Sequence, residues 1–92
     1  MIVTILKKRW RFLRCKPFKD DDTHGNCDPP DWKNKAIRVD KTLRGEAELE
    51  TILHEMLHAA AWDLLSEQWV TDAGRDLAKA LWRIGYRKED RK

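Results

Sequence analysis

Within Thr51-Ile52-Leu53-His54-Glu55-Met56-Leu57-His58-Ala59, two histidines stand four residues apart with a glutamate directly after the first. Helical residues four apart lie one above the other on the same face. The imidazoles of His54 and His58 can therefore hold one zinc ion while Glu55 stays off the metal. Glu55 is then free to take a proton from a water held by the zinc, the division of labour that a metal-dependent hydrolase needs. The same three residues on a solvated helix would carry no metal, so the surrounding pattern matters. At about 100° per residue, Leu49, Ile52, Leu53, Met56, Leu57, Ala60 and Leu64 gather on one apolar face. His54 and His58 fall nearly opposite, beside the small Ala47 and Ala61. One buried face and a pair of histidines on the other is the layout of a zinc cleft.

Catalytic zinc typically takes three protein ligands and leaves a fourth position for water. The carboxylates downstream are Asp63, Glu67, Asp72 and Asp76. If the helix continued through Asp63, that side chain would point about 160° from the histidines and could not reach them. Asp72 should face solvent. Ser66 is a good N-cap for a second helix, with Glu67 in its first turn. The connection between the two helices is short, which makes them antiparallel neighbours and brings that first turn back beside His58. Glu67 is thus the first candidate for the third ligand and Asp76 the second. Asp76 could alternatively hydrogen-bond the far nitrogen of a ligating histidine.

The elements that must position these groups read as follows. Residues 1–14 are extended: Ile2, Val3, Ile5 and Leu6 are aliphatic, and Trp10 and Phe12 alternate with Arg9, Arg11 and Arg14. One bent strand, or two joined near Lys7-Lys8, fits. Residues 16–35 read as a loop, because Pro17, the acidic triplet Asp20-Asp21-Asp22, Gly25-Asn26, Pro29-Pro30 and Asn34 leave no apolar period. A loop that long is usually functional or disordered. The triplet lacks the glycine and distal glutamate of a calcium loop and reads as a solvated turn. His24 in this loop could swing over a metal cleft. Residues 35–43 alternate as a strand with one wet face. The active helix should run from Gly45 to somewhere between Ala61 and Leu65, its start favoured by Glu46 and Glu48. The last helix carries an apolar stripe of Val70, Ala73, Leu77, Leu81 and Ile84 and ends at Gly85. Gly74 weakens it by about 1 kcal/mol relative to alanine. Residues 88–92 form a polar, frayed end.

Ninety-two residues make a single domain, 1–92, with a small core to which a bound metal would contribute stability. Charged residues are 38% of the chain and the net charge is +3, which indicates a soluble, mildly basic protein. No run reaches the length of a membrane span and no signal-peptide core is present, so the expectation is cytoplasmic, with no membrane partner. Cys15 and Cys27 are expected as reduced thiols, since nothing suggests export.

The Thr51–Ala59 stretch, preceded by Ala36-Ile37-Arg38-Val39, resembles the SprT-like and minimal gluzincin metallopeptidases. It is most similar to the compact metallopeptidases of phage and bacterial genomes. Asp28-Pro29-Pro30 and Leu81-Trp82-Arg83-Ile84-Gly85-Tyr86 also resemble that group. The resemblance implies an α+β, minimal zincin-like fold: a small β-sheet, the His-Glu-x-x-His helix, and a following C-terminal helix that supplies the last ligand. It implies His54 and His58 as zinc ligands and Glu55 as general base. SprT-type proteins take their third histidine further on, and this chain has none after His58, which leaves a gluzincin-type carboxylate. The expected function is zinc-dependent hydrolysis of a protein or peptide substrate, aligned along the edge of the 35–43 strand. His24 and Tyr86 are the candidates for stabilising the oxyanion. Two other readings stand beside it. One is a zinc-stabilised interaction domain that does not cut. The other is a nucleic-acid-binding module using residues 7–14 and 83–92.

Overall fold

The N-terminal alternation resolves into two strands. In the computed structural model of the protein, which describes residues 1–20 and 22–88, β1 (Ile2–Ile5) and β2 (Lys8–Cys15) form an antiparallel hairpin. Ile5 lies opposite Lys8, so Leu6 and Lys7 are its two-residue turn. Both have positive φ, 49° and 68°. That is the turn whose twist suits a hairpin, and it normally recruits asparagine and glycine. Trp10 and Phe12 are buried while Arg9 and Arg11 are exposed, as a half-buried strand requires.

The sheet has four strands in the order β1-β2-β4-β3, where β3 is Gly25–Cys27 and β4 is Ala36–Asp40. β4 runs parallel to β2 and antiparallel to β3. It is therefore an interior strand, buried almost throughout, rather than a strand with one wet face or a free edge. Ile37 and Val39 enter the core and Arg38 turns to the opposite face. The stretch 16–35 is likewise not all loop. Gly25-Asn26-Cys27 has little strand preference of its own, and its extended form comes from pairing with β4. The Asp40 N–H donates to the His24 carbonyl at 2.8 Å and the Asp28 N–H to the Ala36 carbonyl at 3.0 Å. Asp28 reinforces the pairing. Its carboxylate accepts from the Ala36 N–H at 2.9 Å and from Arg38 at 2.9 Å. Burial alone would raise the Asp28 carboxyl, but Arg38 and the Ala36 N–H outweigh it and hold the group below the ordinary aspartate value. Of the acidic triplet, Asp20 closes a turn by accepting from the Asp22 N–H at 2.7 Å and the Thr23 hydroxyl at 2.8 Å, and Asp21 lies outside the described residues.

Two helices follow, α1 (Gly45–Ala60) and α2 (Glu67–Ile84). α1 lies against the sheet face that carries Trp10, Phe12, Ile37 and Val39, where Ile52, Met56 and Ala59 complete the core with Val3, Ile5 and Leu43. It ends one residue short of the expected range, and Leu64 lies beyond it, exposed in the connection. α2 begins and ends as its sequence predicts. The Ser66 hydroxyl accepts from the Trp69 N–H at 3.0 Å, and Gly85 closes the helix at φ 112°, a left-handed conformation that suits glycine. Its buried stripe is Val70, Gly74 and Ala78, however, and Leu77 and Ile84 of the expected stripe stay exposed. The reason is Gly74. A Cβ built there would sit 3.5 Å from the His54 backbone, so the glycine marks the close crossing of α2 over α1 and turns its neighbours into the interface. Of the expected polar end, Lys88 reaches the buried Glu48 at 3.3 Å, and residues 89–92 lie outside the described residues.

The turn at Leu6-Lys7 can be improved without touching the core. Replacing both residues, Leu6→Asn with Lys7→Gly, removes the side-chain penalty of the left-handed conformation. It should stabilise the protein by about 1 kcal/mol, read from the urea unfolding midpoint.

Candidate metal centre

Three side chains converge where α1 meets the start of α2. His54 and His58 occupy successive turns of α1, and their Nε2 atoms are 3.2 Å apart. Glu67, the first residue of α2, spans both: Oε1 lies 2.9 Å from His54 Nε2 and Oε2 lies 2.8 Å from His58 Nε2. The sequence folds this way because Ala61 to Ser66 reverses the chain tightly, with Asp63 in a left-handed conformation at φ 60°, and Ser66 caps the new helix directly. A carboxylate at the first position of a helix is also favoured by the helix dipole.

Two imidazoles and a carboxylate are a donor set of the kind that zinc takes. Tetrahedral ligands at about 2.0–2.1 Å from zinc lie about 3.3 Å from one another. The 3.2 Å between the two Nε2 atoms is close to such an edge, the 2.9 and 2.8 Å distances run to different oxygens of Glu67, and one donor atom from each residue lies within 4.8 Å of the others. Two imidazoles and one carboxylate, all borderline or hard donors, suit zinc better than calcium or magnesium.

Glu55 sits beside this set in a different environment. It is only 6% exposed, turned from the histidines toward β3. Burial, and secondarily the charge of Glu67, push its carboxyl up from 4.5 to about 7. β3 comes close enough to cover it because position 25 is glycine. A Cβ there would lie 2.9 Å from the Arg38 carbonyl oxygen, 2.9 Å from the Thr51 methyl and 3.1 Å from Glu55 Cγ. A cavity of about 490 Å³ runs along this line, with Gly25, Asn26 and Cys27 on one side and Thr51, His54, Glu55, His58 and Glu67 on the other.

The remaining candidates separate cleanly. His24 lines the mouth of the cavity and is exposed. Tyr86 does not line it. It borders a second cavity of about 410 Å³ with Trp82, Glu48 and Arg14, at the other end of α1. Asp76 is away from the histidines, exposed and 3.3 Å from Arg75, so it neither reaches the cluster nor backs a histidine. Cys27 faces the helix, and burial first, then Glu55, push its thiol up to about 12, which keeps it from being a ready ligand or nucleophile. Cys15 is on β2 and on the opposite sheet face, with β4 between the two thiols. Two strand spacings, about 10 Å, exceed what a disulfide spans, and both cysteines are free. Gly25, Asn26 and Cys27, the wall of the site, were not legible as a strand. Glu50, Trp62 and Thr71 also line the cavity, and nothing in residue type marks them beforehand. No known protein family, curated protein or solved structure matches this chain.

Two outcomes follow from the burial of Glu55. A carboxyl raised to about 7 in the folded chain and near 4.5 when unfolded leaves the folded state holding the extra proton between those values, so stability falls as pH rises through that window. In chelator-treated protein, Glu55→Gln should be neutral at pH 4 and stabilising by about 3 kcal/mol at pH 8, read by denaturant titration. Gly25→Val should lower stability and perturb the amide signals of β3 and of Thr51 and Glu55, because the nearest obstacle is backbone.

Proposed function

We propose that this chain is a minimal zinc-dependent peptidase with a zincin-like core. The observation that supports it most is the convergence of two imidazoles and a carboxylate beside a separate, buried glutamate in one open cavity. His54, His58 and Glu67 would hold the ion. Zinc bound there would supply Lewis acidity toward a carbonyl oxygen and make a water acidic enough to act as nucleophile at neutral pH.

The chain's own groups account for the rest. Glu55 carries a carboxyl whose value of about 7 suits it both to take a proton from the attacking water and to pass it to the leaving amine. The edge strand beside the site is β3, not the 35–43 segment that the sequence suggests. Residues 24 and 28 use their backbone groups on β4, so by antiparallel alternation those of Gly25 and Cys27 point outward along the cavity. An extended peptide can pair with that edge and lay its carbonyl across the cluster. His24, at the mouth, is the side chain available to a carbonyl oxygen as charge develops on it. The described helices include none long and apolar enough to cross a membrane.

Metal analysis of protein purified without a histidine tag tests the site and peptide hydrolysis tests the chemistry. One zinc per chain is expected, lost with His54→Ala or Glu67→Ala and kept with Glu55→Gln. Hydrolysis of an unfolded protein substrate, followed by mass spectrometry, should fall about 10²–10⁴-fold with Glu55→Gln. Stoichiometric zinc with no hydrolysis by the wild type would instead favour a zinc-stabilised interaction domain. Protein that takes up no zinc overturns both readings.

A further inference from the structure

One long feature of α2 takes no part in the site. At about 100° per residue, Trp69, Ala73, Leu77, Ala80 and Ile84 fall within about 80° of one another around the helix. Trp69, Leu77 and Ile84 are 51%, 44% and 71% exposed, while the adjoining stripe of Val70, Gly74 and Ala78 packs on α1. The exposed stripe therefore alternates large, small, large, small, large over about 22 Å of helix. Its spacing is symmetric. A two-fold axis between Asp76 and Leu77 exchanges Trp69 with Ile84 and Ala73 with Ala80, and places Leu77 next to its own copy.

The polar flank of the stripe is arranged to match. Asp72 and Asp76 lie in its N-terminal half, Lys79 and Arg83 in its C-terminal half. In an antiparallel helix pair the same flanks meet, so the acidic half of one chain faces the basic half of the other. In the single chain both aspartates are only 3.3 Å from the exposed Arg75, a weak local arrangement that does not commit them.

We propose that this face of α2 is a homodimer interface, pairing antiparallel with α2 of a second copy across a two-fold axis. Alanines at 73 and 80 let the helices approach closely on either side of the Leu77 pair, and Trp69 closes each end over Ile84 of the other chain. Such isologous contact between identical patches is the commonest way for a chain to self-associate. One helix face buries less than the roughly 800 Å² per partner of a standard interface, which places it among small, transient contacts. Glu67 and Thr71 point about 120° or more from the stripe's centre, which leaves the cavity open in the dimer.

Sedimentation equilibrium of the full chain from micromolar to millimolar concentration tests this. The average mass should rise from 10.9 kDa toward twice that value with concentration. Leu77→Glu, at an exposed position, should hold the chain at the single mass with an unchanged circular dichroism spectrum. Asp72→Lys with Asp76→Lys, and Lys79→Glu with Arg83→Glu, should each weaken self-association at least tenfold. An equimolar mixture of the two charge variants should recover it. A single mass up to millimolar concentration, or dimerisation indifferent to Leu77→Glu, overturns the proposal, and so does a mixture of charge variants that associates no better than its components.

Discussion

Two neighbours approach α1 on either side of His54 and Glu55, and each does so through a residue without a side chain. Gly25 lets β3 come down on Thr51 and Glu55, and Gly74 lets α2 cross at the His54 backbone. With the sheet on one face and α2 on another, α1 has one narrow sector left. His54 and His58 occupy it, and the chain reversal after Ala60 delivers Glu67 into the same gap. The geometry of the cluster is thus set by backbone proximity rather than by side chains reaching across open space. That is the condition under which a site keeps its shape.

The electrostatics follow from the same closeness. α1 buries two glutamates, Glu48 and Glu55, and treats them differently. Glu48 is paired with Arg14 and Lys88, both 3.3 Å away, and joins the helix to the sheet and to the chain's far end. Among the described residues no cation pairs with Glu55. Its charged form is held back by burial and by Glu67, the combination that the proposed proton-carrying role calls for. The same residue type, seven positions along one helix, becomes a tether in one place and a titrating group in the other.

The sequence showed the helical parts of this arrangement well and the sheet poorly. His54, Glu55 and His58 declare themselves by spacing, Ser66 and Gly85 by cap chemistry, and Glu67 by its distance from a short reversal. All of these are local. The role of β3 is not, since Gly25-Asn26-Cys27 becomes a strand only because β4 and Asp28 hold it there. β4 was visible as a strand, but its neighbours were not, so its interior place could not be read from alternation. Gly74 looked like a weak point in α2. It is instead the contact that fixes which stripe of α2 is buried, and a period of apolar residues cannot reveal a crossing made through an absent side chain. Asp76 and Tyr86 failed for a related reason: helix angles place a residue around its own axis but not relative to a cavity two elements away.

The strand order carries a consequence for how the molecule comes into being. β3 precedes β4 along the chain yet lies outside it, so β4 sits between β2 and β3 and pairs with them in opposite senses. Until β4 pairs with it, Gly25-Asn26-Cys27 has no strand to lie against, and the wall over Glu55 does not exist. The groove beside Glu55 therefore depends on closing two loops, residues 16–35 between β2 and β4 and residues 28–35 between β3 and β4, and not on helix formation alone. A partly folded chain can have both helices and the hairpin and still present its histidines to open water with no groove beside them.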